Sequence, residues 1–228
     1  IQTAPLLNGA VRRKLGHTFL GREASIESLY LDNFYAAFGR EEQSRLLAAA
    51  PECVHSSYLA YWNRRPGAPA LSRMLYADQK TYLVELLMKQ DQMSMAASIE
   101  SRVPLLDHQF LQLAMSLPDR MKIRSATQKY ALKRAAEDLL PRGIVHRAKM
   151  GFPTPLAAWF GGAAGEPLWR GLLERGAFIA PYLDQKEIGA LIGRHCAGRE
   201  DATDRLWRLV NLELWGGIFF GAGPQRFP

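Results

Sequence analysis

Apolar residues recur at helical spacing along most of this chain, and no alternating run of β-branched residues interrupts them. Leu75, Tyr82, Leu83, Leu86 and Leu87 trace one stripe between Ser72 and Gln92. Leu206, Val210, Leu214 and Ile218 trace another between Thr203 and Phe220. A period near 3.6 holds such residues on one helix face, whereas a half-buried strand needs a period of two. Further helices are expected from Ile26 to Phe38, from Glu41 to Ala50 before Pro51, from Pro155 to Phe160 and from Asp184 to His195. Asp107 has the character of an N-cap for a helix that carries Phe110, Leu111, Ala114 and Leu117 and stops at Pro118. Ser125, with Gln128 three residues on, reads as a capping box for a helix through Leu140, ended by Pro141. Residues Ile1 to Gly21 read as irregular, Arg64 to Pro69 as the clearest loop, and Gly161 to Gly165 as a hinge-like break. With no repeat and no hairpin dipeptide, the chain as given is expected to be mostly α-helical.

With 228 residues, 48% of them hydrophobic, the chain can bury a real core as one large domain or two small ones. No apolar run approaches a bilayer-spanning length, and no basic flank leads into an apolar segment at the N-terminus. A soluble, cytoplasmic protein without a membrane partner is the expectation. Cys53 and Cys196 stand alone, which argues against a disulfide framework or zinc site and for a reducing compartment. Cys53 reads as a small buried residue rather than a nucleophile. The five histidines show no ligand spacing, so no protein metal site is expected. The first residue is Ile1, and the chain is expected to be part of a longer polypeptide. The formal charge of +7, from 29 basic and 22 acidic residues, permits phosphate, nucleic-acid or acidic partners without choosing among them. The basic residues are scattered, as on a solvated surface.

Two charged clusters stand out. In the run from Asp91 to Asp107, Glu100 and Arg102 straddle apolar positions just before Pro104, which disfavours helix at the residue before it. They read as an ion pair that either fixes a turn or orients a binding loop. In Arg147-Ala-Lys149-Met-Gly151-Phe152-Pro153, Lys149 reads either as a group that reaches a phosphate or as a surface lysine beside a turn. Gly151 lets the backbone approach a ligand closely. Glu85 lies beside the apolar stripe one turn before Lys89. It is either a carboxylate with a raised pKa that serves as general base, or half of an exposed i,i+4 pair. Asp78 and Asp91 are its rivals on the same helix.

The run Leu87-Met-Lys-Gln-Asp91-Gln-Met-Ser-Met-Ala-Ala-Ser-Ile-Glu100-Ser-Arg102-Val-Pro104-Leu-Leu-Asp107 is followed by Leu117-Pro118, then Lys129-x-x-Leu-Lys133-x-Ala. Leu140-Pro141 and Arg147-x-Lys149-x-Gly151-Phe152 complete the series. In order and spacing these resemble the glutamine-dependent asparagine synthetases, from about Ser72 to Phe160. Leu206-Trp207 through Glu213-Leu-Trp215 resembles that family's C-terminal helix. The resemblance implies three segments: a variable helical region over 1–71, a synthetase core over 72–160 and C-terminal helices over 161–228. It also implies a fold, the C-terminal helical portion of an α/β PP-loop ATP pyrophosphatase-type (adenine nucleotide α-hydrolase-like) synthetase domain.

The implied chemistry is ATP-dependent amide formation. A carboxylate, aspartate in the type case, attacks the α-phosphorus of Mg·ATP, and ammonia derived from glutamine then displaces AMP. By the same resemblance Lys149 reaches the α-phosphate, Glu85 falls near the family's helix acid, and Lys129 and Arg102 line or brace the nucleotide cleft. Glu100, Asp91, Asp107 and Gly151 support it. The family's Ser-Gly-Gly-x-Asp-Ser loop, its Asp-Gly-x-x-Asp-Glu segment and its glutaminase cysteine do not occur in these residues. They are expected upstream, with most of the ATP and magnesium contacts, so the fragment alone is expected to be inactive. A homodimer stays open. A β-lactam-synthetase-like enzyme is the near alternative. A basic helical nucleic-acid-binding module and a structural helical scaffold are the distant ones.

Overall fold

The computed structural model describes residues 22–49, 54–151, 154–160 and 162–221. The expected irregular stretch Ile1 to Gly21 and the expected buried Cys53 lie outside them. In chain order the elements begin with α1 (Arg40–Leu46), α2 (Ser56–Trp62), α3 (Ala70–Lys80), α4 (Tyr82–Ala96), α5 (His108–Ser116) and α6 (Asp119–Lys122). A hairpin of β1 (Ile123–Arg124) and β2 (Thr127–Gln128) follows, then α7 (Tyr130–Ala136) and α8 (Arg142–Val145). The last four are α9 (Leu156–Phe160), α10 (Gly162–Arg170), α11 (Gln185–Cys196) and α12 (Thr203–Phe219). The chain forms two compact units, 1–52 with 152–228, and 53–151. These boundaries differ from the motif-based divisions after 71 and 160, because motif order and packing group the residues differently.

The discontinuous unit holds the main core. The helix expected over Ile26 to Phe38 is a π-helical turn, Glu27–Leu31, running into a short α-helical turn, Asp32–Phe34. Phe34 packs against Tyr30 at 5.8 Å and Tyr35 at 4.9 Å where the helix ends. In α1, the Gly39 N–H donates to the Glu42 carboxylate at 2.8 Å. The helix ends four residues earlier than expected because Leu47 turns extended and bridges Leu183. Ala48 N–H donates to the Tyr182 carbonyl at 2.9 Å, and Asp184 N–H to the Leu46 carbonyl at 2.8 Å. Asp184 also caps α11 through the N–H groups of Lys186 and Glu187. At the other end Gly198 (φ 64) makes a left-handed stop, with Arg199 N–H bonded to the Arg194 carbonyl at 3.0 Å.

Leu172, Ile179, Ile188, Leu191 and Leu206 lie in one buried cluster with Phe160 and Trp169. The buried face of α12 is Leu206, Leu209, Val210, Glu213 and Gly216, whereas Ile218, expected on the stripe, is 62% exposed. A strict i+4 series rotates by about 40° per step on a 3.6-residue helix, so three steps carry it off the face. The break expected from Gly161 to Gly165 is also corrected: helix α10 occupies Gly162–Arg170. A Cβ on Gly165 would lie 2.3 Å from the Trp169 ring and 2.4 Å from the Phe160 carbonyl. The glycine there permits close packing, not bending.

An ion-pair chain decorates this unit. Arg205 joins Glu42 at 2.6 Å and also bonds Glu200, which Arg194 holds at 2.7 Å. The hydrogen bond from Arg194 is the largest cause of a Glu200 pKa below its ordinary value, with Arg205 adding to it and burial opposing. A depressed carboxylate contributes stability that is complete above the unfolded pKa, about 4.5, and is lost as pH falls through the folded pKa. Glu200→Gln is therefore expected to cost roughly 1 kcal/mol above that value. Denaturant unfolding across acid pH should show the difference from the parent protein vanish at the acid end.

The second unit, 53–151, buries little: Tyr58, Ala77 and Val145 are its buried apolar residues among those described. Helix α2 returns as α3 through the loop at Arg64 to Pro69, as expected. The single helix expected from Ser72 to Gln92 is two, broken at Thr81 (φ −125, ψ −80). The Thr81 hydroxyl donates to the Ala77 carbonyl at 2.8 Å, a local bond that competes with helix continuation. Asp78 and Asp91 thus lie on different helices. The capping box at Ser125 is replaced by the hairpin, with Ile123 opposite Gln128 and Arg124 opposite Thr127. Ser125 takes φ 52 in its turn, and Lys129 takes φ 55 as the N-cap of α7. That helix ends at Ala136 rather than Leu140. The chain is mostly helical, with this one small sheet among the described residues.

Candidate functional site

All eight residues singled out from sequence lie in the unit 53–151. Helix α4 carries Glu85 and Asp91 and ends in a Schellman turn: Ser98, at φ 57, donates its N–H to the Met95 carbonyl at 2.9 Å. Ile99 N–H reaches the Ser94 carbonyl, also at 2.9 Å. This stop sends the chain into the irregular stretch where Glu100 and Arg102 sit. The Arg102 guanidinium grips Glu100 with two bonds, Nε to Oε1 at 3.0 Å and an Nη to Oε2 at 3.1 Å. The pair was expected in an apolar setting, yet its side chains are 81% and 68% exposed. It therefore shapes a surface turn, and a bond from the Gln90 amide to the Ser101 hydroxyl ties that turn back to α4.

Asp107 caps α5 as expected, accepting from Gln109 N–H at 3.0 Å and Phe110 N–H at 3.1 Å. Asp107→Ala is expected to cost about 1 kcal/mol, the usual price of an N-cap. Urea unfolding should register it, with Asp107→Asn close to the parent protein. Glu85 forms an ion pair with Lys89 one turn on, and its side chain is 55% exposed. The exposed i,i+4 pair is the geometry found. Lys129 projects from the junction of hairpin and α7. Arg124 bonds the Tyr130 hydroxyl at 2.7 Å and so fixes that junction.

Lys149 and Gly151 lie in an exposed, irregular stretch after α8. Its stem is anchored by His146, whose Nε2 meets Glu137 at 3.0 Å, and Arg134 holds the same carboxylate at 2.5 Å. A Cβ on Gly151 would meet nothing within 4 Å. Among the described residues Lys149, Lys129 and Asp91 make no side-chain hydrogen bond or ion pair. None joins Lys149 to Glu85, Lys129 or Arg102 either. Sequence reasoning passed over Gln90, Ser101, Glu137 and His146. Their partners are nine or eleven residues away, beyond any helical spacing. Among the described residues no three His, Cys, Asp or Glu side chains come together as metal ligands, so no magnesium ligand is assigned here. No described helix is long and apolar enough to cross a membrane.

Comparison with known proteins decides the family. The asparagine synthase family model matches residues 6–217. The chain belongs to the asparagine synthase family. A Mycobacterium bovis protein provisionally named asparagine synthetase (glutamine-hydrolyzing) is 33% identical over 198 residues, 86% of this chain and 30% of that protein. Asparagine synthetase (glutamine-hydrolyzing) 1 of Bacillus subtilis is 31% identical over 160 residues, covering 69% of this chain and 25% of its own length. The Gallus gallus asparagine synthetase (glutamine-hydrolyzing) is 36% identical over 89 residues, 36% of this chain and 16% of its own. The chain thus spans less than a third of these relatives. No solved structure matches it. Family membership agrees with the order of motifs from Asp91 to Phe152.

Proposed function

We infer that this chain forms the C-terminal, helical part of an ATP-dependent amidotransferase domain of the PP-loop kind, with 72–160 as its motif-bearing core. In the inferred reaction a substrate carboxylate, aspartate or a relative, attacks the α-phosphorus of ATP and expels pyrophosphate. Ammonia released from glutamine elsewhere in the protein then displaces AMP. The observation that carries this reading is the Lys149 ammonium, exposed and without a partner among the described residues, in a family-matched stretch with an anchored stem. An uncommitted cation is free to meet the charge that gathers on phosphoryl oxygens as the bond to pyrophosphate breaks.

The other residues take supporting roles. One edge of the Arg102 fork, its Nε and one Nη, is engaged by Glu100, so Arg102 braces the turn beside the cleft. Lys129, held on a left-handed backbone, adds positive charge toward the nucleotide. Glu85 acts as an acid–base group only when Lys89 lets its carboxylate go. Asp91, Asp107 and Gly151 hold backbone positions. ATP and magnesium are bound mainly by segments outside this chain, and the 228 residues alone are expected to be silent. The test is exchange of labelled pyrophosphate into ATP. The intact protein should support it, Lys149→Ala should slow it by roughly 10²–10³-fold, and glutaminase activity should survive. Exchange by the isolated chain, or at the parent rate by Lys149→Ala, refutes the assignment.

A further inference from the structure

The loop between α2 and α3 and the first turn of α3 place three arginines against aromatic rings, and none of these belongs to the site above. Arg64 lies 4.6 Å from the centroid of Tyr61, Arg65 6.0 Å from that of Tyr76, and Arg73 3.9 Å from that of Trp62. Among the described residues no carboxylate pairs with any of the three. Guanidinium groups on a folded surface normally find an acid or a carbonyl. Here only Arg73 does, donating from Nε to the Trp62 carbonyl at 3.0 Å, which leaves its outer nitrogens uncommitted. Stacking on Trp62 and that one bond hold the group in a fixed pose, so little rotamer entropy remains to be lost on binding an anion.

Arg65 and Arg73 line a cavity of about 400 Å³ together with Tyr61, Ser72, Tyr76 and Gln79. That volume is within the range of small-ligand sites. Tyr61 and Tyr76 meet edge to face at 6.1 Å, with Arg64 and Arg65 each against one of the rings, so the two phenols give the cavity an aromatic wall. The remaining polar wall is already in use: Ser72 Oγ bonds Asp119 at 3.2 Å, and the Gln79 amide rests on Met115 Sδ at 2.7 Å. Asp119 thus brings one carboxylate against this wall through Ser72, and the two lining arginines outweigh it.

We propose that this cavity is a binding site for a small aryl anion, with its ring against Tyr61 and Tyr76 and its phosphate or carboxylate against Arg65 and Arg73. It is separate from Lys149 in sequence and chemistry, and it does not depend on the amidotransferase reading. The test uses the full chain and three probes: AMP carries ring and anion, adenosine the ring alone, and inorganic phosphate the anion alone. Titration calorimetry should give AMP an affinity roughly tenfold or more above either part, since both halves of the cavity engage at once. Arg65→Ala, which removes no internal hydrogen bond, and Arg73→Ala should each weaken AMP by roughly tenfold, the usual loss of a charge-assisted bond. Any part of the AMP signal that Lys149→Ala removes belongs to the reaction site, and the part that Arg65→Ala removes belongs to this cavity. Circular dichroism and melting of each variant separate lost binding from lost fold. If Arg73→Ala alone unfolds the chain, Arg65→Ala decides. Equal affinity for AMP and phosphate overturns the proposal. So does AMP binding that Lys149→Ala removes and Arg65→Ala spares.

Discussion

Lys149→Ala in the intact protein is expected to lower pyrophosphate release by roughly 10²–10³-fold, the usual loss when one preorganised electrostatic donor is removed. The size of the effect follows from position and not from packing. The side chain is exposed and contacts no described partner, so alanine leaves no cavity and strands no buried group. Folding stability should stay within ~0.5 kcal/mol of the parent protein, as for ordinary surface changes. The loss should appear in kcat more than in KM if the ammonium acts on charge that develops in the transition state. Lys149→Arg keeps the charge but spreads it over a planar fork, and should recover only part of the rate. A rise in KM with kcat unchanged would assign Lys149 to ground-state binding instead.

Glu213→Ala should produce the largest change in stability. Glu213 is the one charged residue buried on α12, and its two oxygens accept from Phe178 N–H at 2.8 Å and Ile179 N–H at 3.0 Å. Alanine would leave both N–H groups without an acceptor, at a cost of about 2–4 kcal/mol. That is a large share of the 5–15 kcal/mol typical of a folded domain. Glu213→Gln keeps one acceptor oxygen and turns an amide N–H₂ toward the second donor, so about half the loss is expected. Guanidinium unfolding read by tryptophan fluorescence measures both. Equal losses for the two variants would mean that the carboxylate acts through volume rather than through its bonds. Gly216, one turn on, shows how closely the same segments meet: a Cβ there would fall 1.9 Å from the Phe178 ring.

The helices with clear ends were legible from sequence. Asp107 and Asp184 carry the right side chain at the right place, and α5, α11 and α12 follow within a residue or two. Features set by distant partners were not. Leu47 leaves α1 because Leu183 captures its backbone, 136 residues on (183 − 47). The hairpin at Ile123–Gln128 has strands too short to show a period of two, and its turn takes a positive φ at Ser125 without a glycine to announce it. Glu213 reads as a polar interruption on an apolar face until its two backbone donors, 34 and 35 residues earlier, are in place. The site divides in the same way. The Glu100–Arg102 pair was readable because its partners are neighbours, but its exposure was not. The anchoring of Lys149 through His146 and Glu137 had no signal in spacing.

The uneven burial of the two units has a consequence for how the protein comes apart. The discontinuous unit closes around a large apolar cluster, while the unit carrying Lys149 and Glu85 has three buried apolar side chains among its described residues. Cooperativity follows contiguous burial, so different probes should not report one all-or-none transition. Amide hydrogens in α4 and α7 should exchange through openings far smaller than those needed in α11 and α12. A single melting temperature would then average two events, and the unit carrying Lys149 would loosen first.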